Sequence, residues 1–429
     1  MRRSRKAVLL ALLVPLPSAF GWGEPHEAIT KAALDVLPVW QQDLLGRERG
    51  PLATDYCLIP DHVFSNKANA RFAAMESKPG EVYIQSLHLP SAQQPDNLET
   101  FRYFSGRAVA ALQKGKTGDA ARYMGTICHV IEDFGSPSHT IPGDNQFTLL
   151  QQFLPPSEAM KDKLLHGPIE DGTLDVRISG YHPQLLGITV EEAAWRLLHR
   201  VHEGIINARG TTIPIIQALY AQDEKGVVTN QLKAATKDAQ VVADALYTIL
   251  CLGTKKLEPG EQTSLKTVAI GAFFPLEAAS LYYPQTQFFS APYWGFPHSG
   301  VILKEGKKAV PLKLNVDEKS GGLIEQFGNG ISVGMGKPLS FLLPKGVYTK
   351  FTAIAGLHAE LGAKGRVEFI LRGDGKPLAS AIVDGTGPAH IFECDIRDVS
   401  LLQLAAESRG KDPQSNYAIW ADPVLAKEP

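Results

Sequence analysis

Near residue 255 the sequence changes its period, and that change limits the folds open to the chain. Before it, apolar residues recur at helical spacing; after it, they alternate in short runs separated by turn residues. In His26–Leu37 the apolar positions Ile29, Ala32, Ala33 and Val36 form one helical stripe, and Pro38 ends it. Thr117–Phe134 opens with a capping signal and runs on amphipathically. Thr189, Val190, Glu191 and Glu192 form a capping box before another helical run. Asn230–Leu252 predicts a further long helix, stopped at Gly253. The polar run Lys255–Lys266 interrupts the periodicity and reads as a linker. Beyond it Arg366–Leu371 alternates, Gly373, Asp374 and Gly375 supply a turn, and Ala381–Asp384 and Ala389–Cys394 continue the pattern. Short strands at this spacing predict a β-sandwich. The expected architecture is multidomain α + β: an all-α domain over 22–254, a linker and connecting segment over 255–299, and a sandwich over 300–426.

Composition supports folded domains and little else. The 429 residues suffice for two or three cores at roughly 150 residues each. At 44% hydrophobic and 21% charged, whole-chain disorder and low-complexity fibre are excluded. The net charge of −2 carries no basic bias toward nucleic acid. Cys57, Cys128, Cys251 and Cys394 are scattered, with no CxxC pair, so neither a disulfide scaffold nor a zinc ribbon is expected.

The first residues read as an address. Arg2, Arg3, Arg5 and Lys6 precede a short, mostly apolar stretch from Ala7 to Ala19, and Ala19 and Gly21 are small residues suited to signal cleavage. Residues 1–21 are thus expected to be a signal peptide, leaving Trp22 at the mature N-terminus. Loss of the four basic residues takes the charge to about −6. No later segment has about 18 uninterrupted apolar residues, so no transmembrane anchor is expected, and the destination reads as secreted or periplasmic.

The chemistry lies with the histidines. His129 and Asp133 stand four apart on one predicted helix, so both side chains can point at one ion. Gly135 and Pro137 should break that helix and re-aim the chain, which brings in His139. The segment reads HxxxDxxxxxH, and His166 and Glu170 form a second His-to-carboxylate pair. Imidazole with carboxylate suits zinc, and the lack of cysteine ligands favours an open catalytic site over a closed structural one.

HxxxDxxxxxH followed by HxxxE, behind an expected N-terminal Trp, resembles the zinc-dependent bacterial phospholipases C and their relatives, the zinc-dependent single-strand nucleases. The resemblance implies a mostly helical fold holding three zinc ions. Trp22, through its free amine and carbonyl, would hold one ion with His26 and Asp133. Asp61, His88, His129 and Asp133 would hold the second, with Asp133 bridging. His139, His166 and Glu170 would hold the third. Asp61 and His88 rest on chain order and local context, and Asp55 is the alternative to Asp61. His199 and Glu203 form a rival HxxxE pair, which the family order disfavours. His62 reads as a solvated residue, Trp195 as core and Cys128 as a small buried residue. Val130 and Glu132 depart from the phospholipase pattern, which has a Tyr and a small residue there. That departure bears on the substrate more than on the metal.

The second half has its own resemblance. Residues 328–342, 348–357, 369–375 and 417–422 are similar to a carbohydrate-binding module of secreted glycosidases, a galactose-binding-like β-sandwich, over roughly 300–426. Tyr293, Trp294 and Trp420 are candidates to stack on a sugar or to fill the core. The implied reaction is phosphodiester hydrolysis. Zinc lowers the pKa of bound water to about 7, and Asp61 is the candidate catalytic residue to align or deprotonate that water. The leading expectation is a phospholipase C releasing diacylglycerol and a phosphorylated headgroup. A zinc-dependent single-strand nuclease or 3′-nucleotidase is the alternative, against which the acidic charge weighs, since it disfavours a stable nucleic-acid complex. A third reading is a glycan-binding surface protein whose metal half is structural or inactive.

Overall fold

A computed structural model describes residues 25–65, 94–140, 154–156, 158–160, 165–258, 260–276, 298–304, 308–317, 322–336, 338–385 and 387–427. The expected signal peptide, Trp22, His88, Tyr293 and Trp294 lie outside the described residues.

The first half is helical. It contains α1 (Pro25–Asp35), α2 (Val39–Leu45), α3 (Ile59–Ser65), α4 (Gln94–Gln113), α5 (Thr117–Gly135), α6 (His166–Glu170), α7 (Val190–Tyr220) and α8 (Glu224–Thr254). At the centre is α5, buried on every side from Tyr123 to Gly135. A helix apolar over most of its circumference belongs inside a bundle, and α5 packs among α4, α7 and α8. Its neighbours come close at two glycines. A Cβ on Gly125 would stand 2.4 Å from the Tyr56 carbonyl carbon, and one on Gly135 would stand 1.7 Å from an Asp238 carboxylate oxygen. The Gly125 contact seats the π-helical turn Leu52–Tyr56 against α5.

Two helix ends show how local signals resolve. Thr189 caps α7, its hydroxyl accepting from Glu192 N at 3.2 Å, while the Glu192 carboxylate accepts from Ile188 N at 3.2 Å. The long helix predicted from Asn230 begins earlier, where Asp223 accepts from Gly226 N at 3.0 Å. Gly253 does not stop it. The helix runs to Thr254, and Lys255 takes the left-handed turn at φ 57°. Gly253 is instead a packing residue, since a Cβ there would meet Leu112 at 2.4 Å.

The second half is an all-antiparallel β-sandwich. One sheet runs β11 (His390–Asp395), β8 (Lys350–Leu357), β13 (Ala418–Ala426), β6 (Gly330–Val333), β2 (His298–Ser299). Facing it is β10 (Lys376–Asp384), β9 (Arg366–Gly373), β12 (Leu401–Ser408), β7 (Leu339–Leu342). Between them lie Phe351, Phe369, Leu371, Phe392, Leu404 and Trp420. Trp420 is fully buried against Phe369 and Phe392, so it fills the core and offers no face to a sugar. The alternate residues Ile419 and Ala421 point to the other face, where β3 (Val301–Lys304), β4 (Lys308–Asn315) and β5 (Ile324–Phe327) add Ile302, Leu312, Leu314 and Phe327. The predicted turn joins β9 to β10 with Asp374 at φ 49° and Gly375 at φ 77°, the left-handed pair that a tight hairpin needs.

Just past the polar run, β1 (Thr267–Ala269) pairs with β13, Thr267 opposite Ala426. Lys427 N donates to Lys266 O at 2.8 Å. The two halves meet along α7. Trp195 is buried and donates from Nε1 to Leu342 O at 2.7 Å, and Arg196 donates to Tyr348 Oη at 3.1 Å and to Leu265 O at 3.2 Å. Lys427 Nζ donates to Glu192 at 2.7 Å. Among the described residues no helix is long and apolar enough to cross a membrane.

Candidate metal centre

Asp133 is the hub. It is completely buried near the end of α5, and three imidazoles surround it. His26 Nε2 lies 3.7 Å from Oδ1, His139 Nδ1 3.8 Å from Oδ1, and His129 Nε2 3.3 Å from Oδ2. His26 comes from α1, His129 from one helical turn earlier on α5, and His139 from the turn that follows. The His26 and His129 rings stack with centroids 4.2 Å apart. Asp61, at the start of α3, brings Oδ1 to 3.5 Å from His129 Nε2. Asp55, the alternative carboxylate, is exposed and accepts instead from the Thr54 hydroxyl at 3.2 Å.

A second cluster adjoins the first. On the single-turn helix α6, His166 Nε2 stands 3.1 Å from Glu170 Oε1. His139 Nε2 lies 3.8 Å from Glu170 Oε2, so the two nitrogens of His139 face one cluster each. Glu170 is buried, whereas His166 is partly exposed and brings this cluster to solvent.

The donor set fits zinc. Two ligand atoms each about 2.1 Å from one tetrahedral ion stand roughly 3.4 Å apart. The six contacts above span 3.1 to 3.8 Å. The candidate ligand atoms of His26, His129 and Asp133 lie within 4.8 Å of one another, as do those of His139, His166 and Glu170. His26 Nε2 and both carboxylate oxygens of Asp133 are buried without a hydrogen-bond partner, a costly state for polar atoms unless an ion satisfies them. The electrostatics agree. Burial opposes charge on His129, but the Asp133 and Asp61 carboxylates overcome it and push its pKa up to about 10. Burial opposes charge on Asp133 too, and His129 and His139 outweigh it, holding that carboxyl below its ordinary value. Asp133 and Asp61 therefore call for positive charge at this point.

Several supporting groups escaped the sequence reading. Glu132 accepts from His26 Nδ1 at 2.7 Å and from the Thr30 hydroxyl at 2.6 Å, all three residues being buried. Its signal was the departure from the family pattern at that position. His129 Nδ1 is 2.8 Å from the carbonyl of Cys57, just past the π-helical turn. Ser138 donates its hydroxyl to Glu170, with Ser136 beside it; the Ser136–Pro137–Ser138 run ahead of His139 carried that signal. The rival pair does not assemble. His199 stacks on Phe273 with centroids 3.7 Å apart, while Glu203 pairs with Arg200 and Lys237. His62 is exposed, and burial pushes the Cys128 thiol well above its ordinary pKa. A cavity of about 610 Å³ lies elsewhere, at the seam between the halves, lined in part by His182, Arg196, His199 and Phe273 and by none of the candidate ligands.

A helical bundle with a buried histidine–carboxylate cluster, followed by a β-sandwich, makes a two-part chain. Residues 302–426 match the family model described as NPCBM/NEW2 domain. No curated protein matches the chain. Among solved structures, it is similar to the CBM51-2 and INT domains of Clostridium perfringens ZmpB in complex with GlcNAc, at 20% identity over 31% of this chain and 30% of that one, TM-score 0.26. It is similar to the CBM51 of Clostridium perfringens GH95 in complex with methyl-galactose, at 15% identity over 37% of this chain and 99% of that one, TM-score 0.28. The alpha-toxin of Clostridium perfringens, from an avian strain, matches at 11% identity over 96% of this chain and 98% of that one, TM-score 0.34. The chain thus spans 30% of the length of the ZmpB structure. The sandwich assignment rests on the family match and the strands, and the candidate metal centre on its own geometry.

Proposed function

We propose that this chain is an exported zinc-dependent phosphodiesterase of the phospholipase C type, with a sandwich that binds a glycan. The observation that carries the reading is the buried Asp133 carboxylate, faced by His26, His129 and His139 and continued through His139 to His166 and Glu170. His26, Asp61, His129, Asp133, His139, His166 and Glu170 would hold the ions, with Trp22 and His88 completing the set. Zinc bound there supplies a Lewis acid for the phosphoryl oxygens and brings the pKa of water to about 7. The chain's own part is positional and acid–base. Asp133, held ionised by its histidines, centres the first cluster, and His139 links it to the second. Asp61, almost buried at the start of α3, would accept a proton from a nucleophilic water. His166, partly exposed, marks the side from which a phosphodiester reaches the centre. The CBM51 structures hold GlcNAc and methyl-galactose, and a saccharide of that kind is the ligand we assign to residues 302–426 of this chain.

The test is phosphocholine release from phosphatidylcholine by protein beginning at Trp22 and loaded with zinc. Release abolished by chelation supports the reading, and His139→Ala should lower the rate while leaving saccharide binding intact. Full activity in zinc-loaded His139→Ala would remove His139 from the site. No release from protein holding about three zincs would turn the reading to the single-strand nuclease activity.

A further inference from the structure

Glu132 is not one of the expected metal ligands. Here it is a fully buried carboxylate within the central helix, next in sequence to Asp133. Its two oxygens are both engaged. Oε2 faces His26 Nδ1 at 2.7 Å, and Oε1 accepts from the Thr30 hydroxyl at 2.6 Å. His26 and Thr30 lie one turn apart on α1, so both hold Glu132 from the same helix. The other nitrogen of His26, Nε2, faces Asp133 and has no hydrogen-bond partner.

We propose that Glu132 is a positioning residue: it fixes His26 as the Nδ1–H tautomer and aims Nε2 at the ion shared with Asp133. The proposal rests on the metal reading given above. The chemistry is general. A neutral imidazole has one donor nitrogen and one lone-pair nitrogen, so the partner of the first decides which atom can bind a metal. A carboxylate accepting from the far nitrogen also raises the basicity of the near one. Thr30 matters because its hydroxyl holds Oε1 and stops the carboxylate from turning away. Without Glu132, His26 Nδ1–H would be buried with no acceptor on this side, and the ring would lose the contact that sets its tautomer and orientation. No other described carboxylate forms an ion pair with His26 Nδ1.

The experiment compares wild type with Glu132→Gln, using zinc itself as the probe in competition with a chelating dye. Alongside, the tautomer of His26 is read by nitrogen-15 NMR of metal-stripped protein. The expected result is a single tautomer in wild type and a mixture in the variant. One zinc should bind about 10- to 100-fold more weakly in the variant, the range seen when such supporting partners are removed, while the ion at His166 and Glu170 keeps its affinity. Unchanged zinc affinity and an unchanged tautomer in Glu132→Gln would overturn the proposal. If wild type binds no zinc, the metal reading fails, and the tautomer measurement shows separately whether Glu132 still sets His26. Should Glu132→Gln fail to fold, Glu132→Asp keeps the charge but withdraws it by one methylene. Wild-type zinc affinity in that variant would likewise overturn the proposal.

Discussion

At Gly125 one added carbon would disturb the site from a distance. A Cβ there would stand 2.4 Å from the backbone carbonyl carbon of Tyr56, the residue before Cys57, whose carbonyl lies 2.8 Å from His129 Nδ1, and just ahead of the helix that carries Asp61. A backbone cannot swing aside as a side chain can. Gly125→Ala should destabilise the chain by about 1–3 kcal/mol, as overpacking does, and should weaken zinc retention through Asp61 and the Cys57 carbonyl; urea unfolding and zinc competition check both. A variant as stable as wild type would show that the contact is slack. This also shows how far the site was legible. That His129, Asp133 and His139 come together could be read because their spacing is local to one helix and its exit turn, and likewise His166 with Glu170 because they share a short helix. Asp61 and Asp55 could not be separated, since the choice depends on which one a bent segment turns toward His129. Glu132 was visible as an odd residue, but its partner lies 106 positions away, and no periodicity connects them.

Among the elements, α7 does two tasks with one residue. Glu192 belongs to the capping box that starts the helix, and it is also the buried anion at the seam. It takes Arg196 Nε at 3.2 Å, Tyr348 Oη at 3.3 Å and Lys427 Nζ at 2.7 Å. The sequence showed the first task, because a capping box is a four-residue pattern. The second depends on residues more than 150 positions away. Glu192→Gln keeps the shape and removes the charge that three side-chain donors and the Ile188 amide share. It should cost roughly 1–3 kcal/mol and expose the 255–266 stretch to protease before the helices or the sandwich melt. Equal resistance to proteolysis in variant and wild type would mean that the remaining contacts of Trp195 and Arg196 hold the seam without this charge. The hairpin from β9 to β10 was the most readable element, for its turn chemistry is written in two residues.

Over the whole molecule, the join between the halves should be sensitive to acid. His199 and His202 are buried there, His199 stacked on Phe273 and edge-on to Trp195, His202 edge-on to Phe274. Burial lowers the pKa of His199 well below its ordinary value, with His202 and Arg196 adding repulsion, and burial alone takes His202 to about 3. Both are therefore neutral in the folded chain and protonate near pH 6.5 once unfolded. The unfolded state binds more protons, so this contribution is whole above about pH 6.5 and is lost as the pH falls toward 3. Denaturation midpoints measured from pH 7.5 to 4.5 should drop more steeply in wild type than in the double variant His199→Phe, His202→Phe; identical slopes would refute it. The two-part division was legible from the change of period, but the seam was not, because it is made by residues distant in sequence. The pairing of β1 with β13 has a mechanical consequence. Thr267 faces Ala426, so the strand leaving the helices and the strand closing the sandwich are gripped at the same end. Tension between residues 266 and 427 would not shear this ribbon along its length but would open it like a zipper, one pair of residues after another, beginning where the two halves of the molecule are joined.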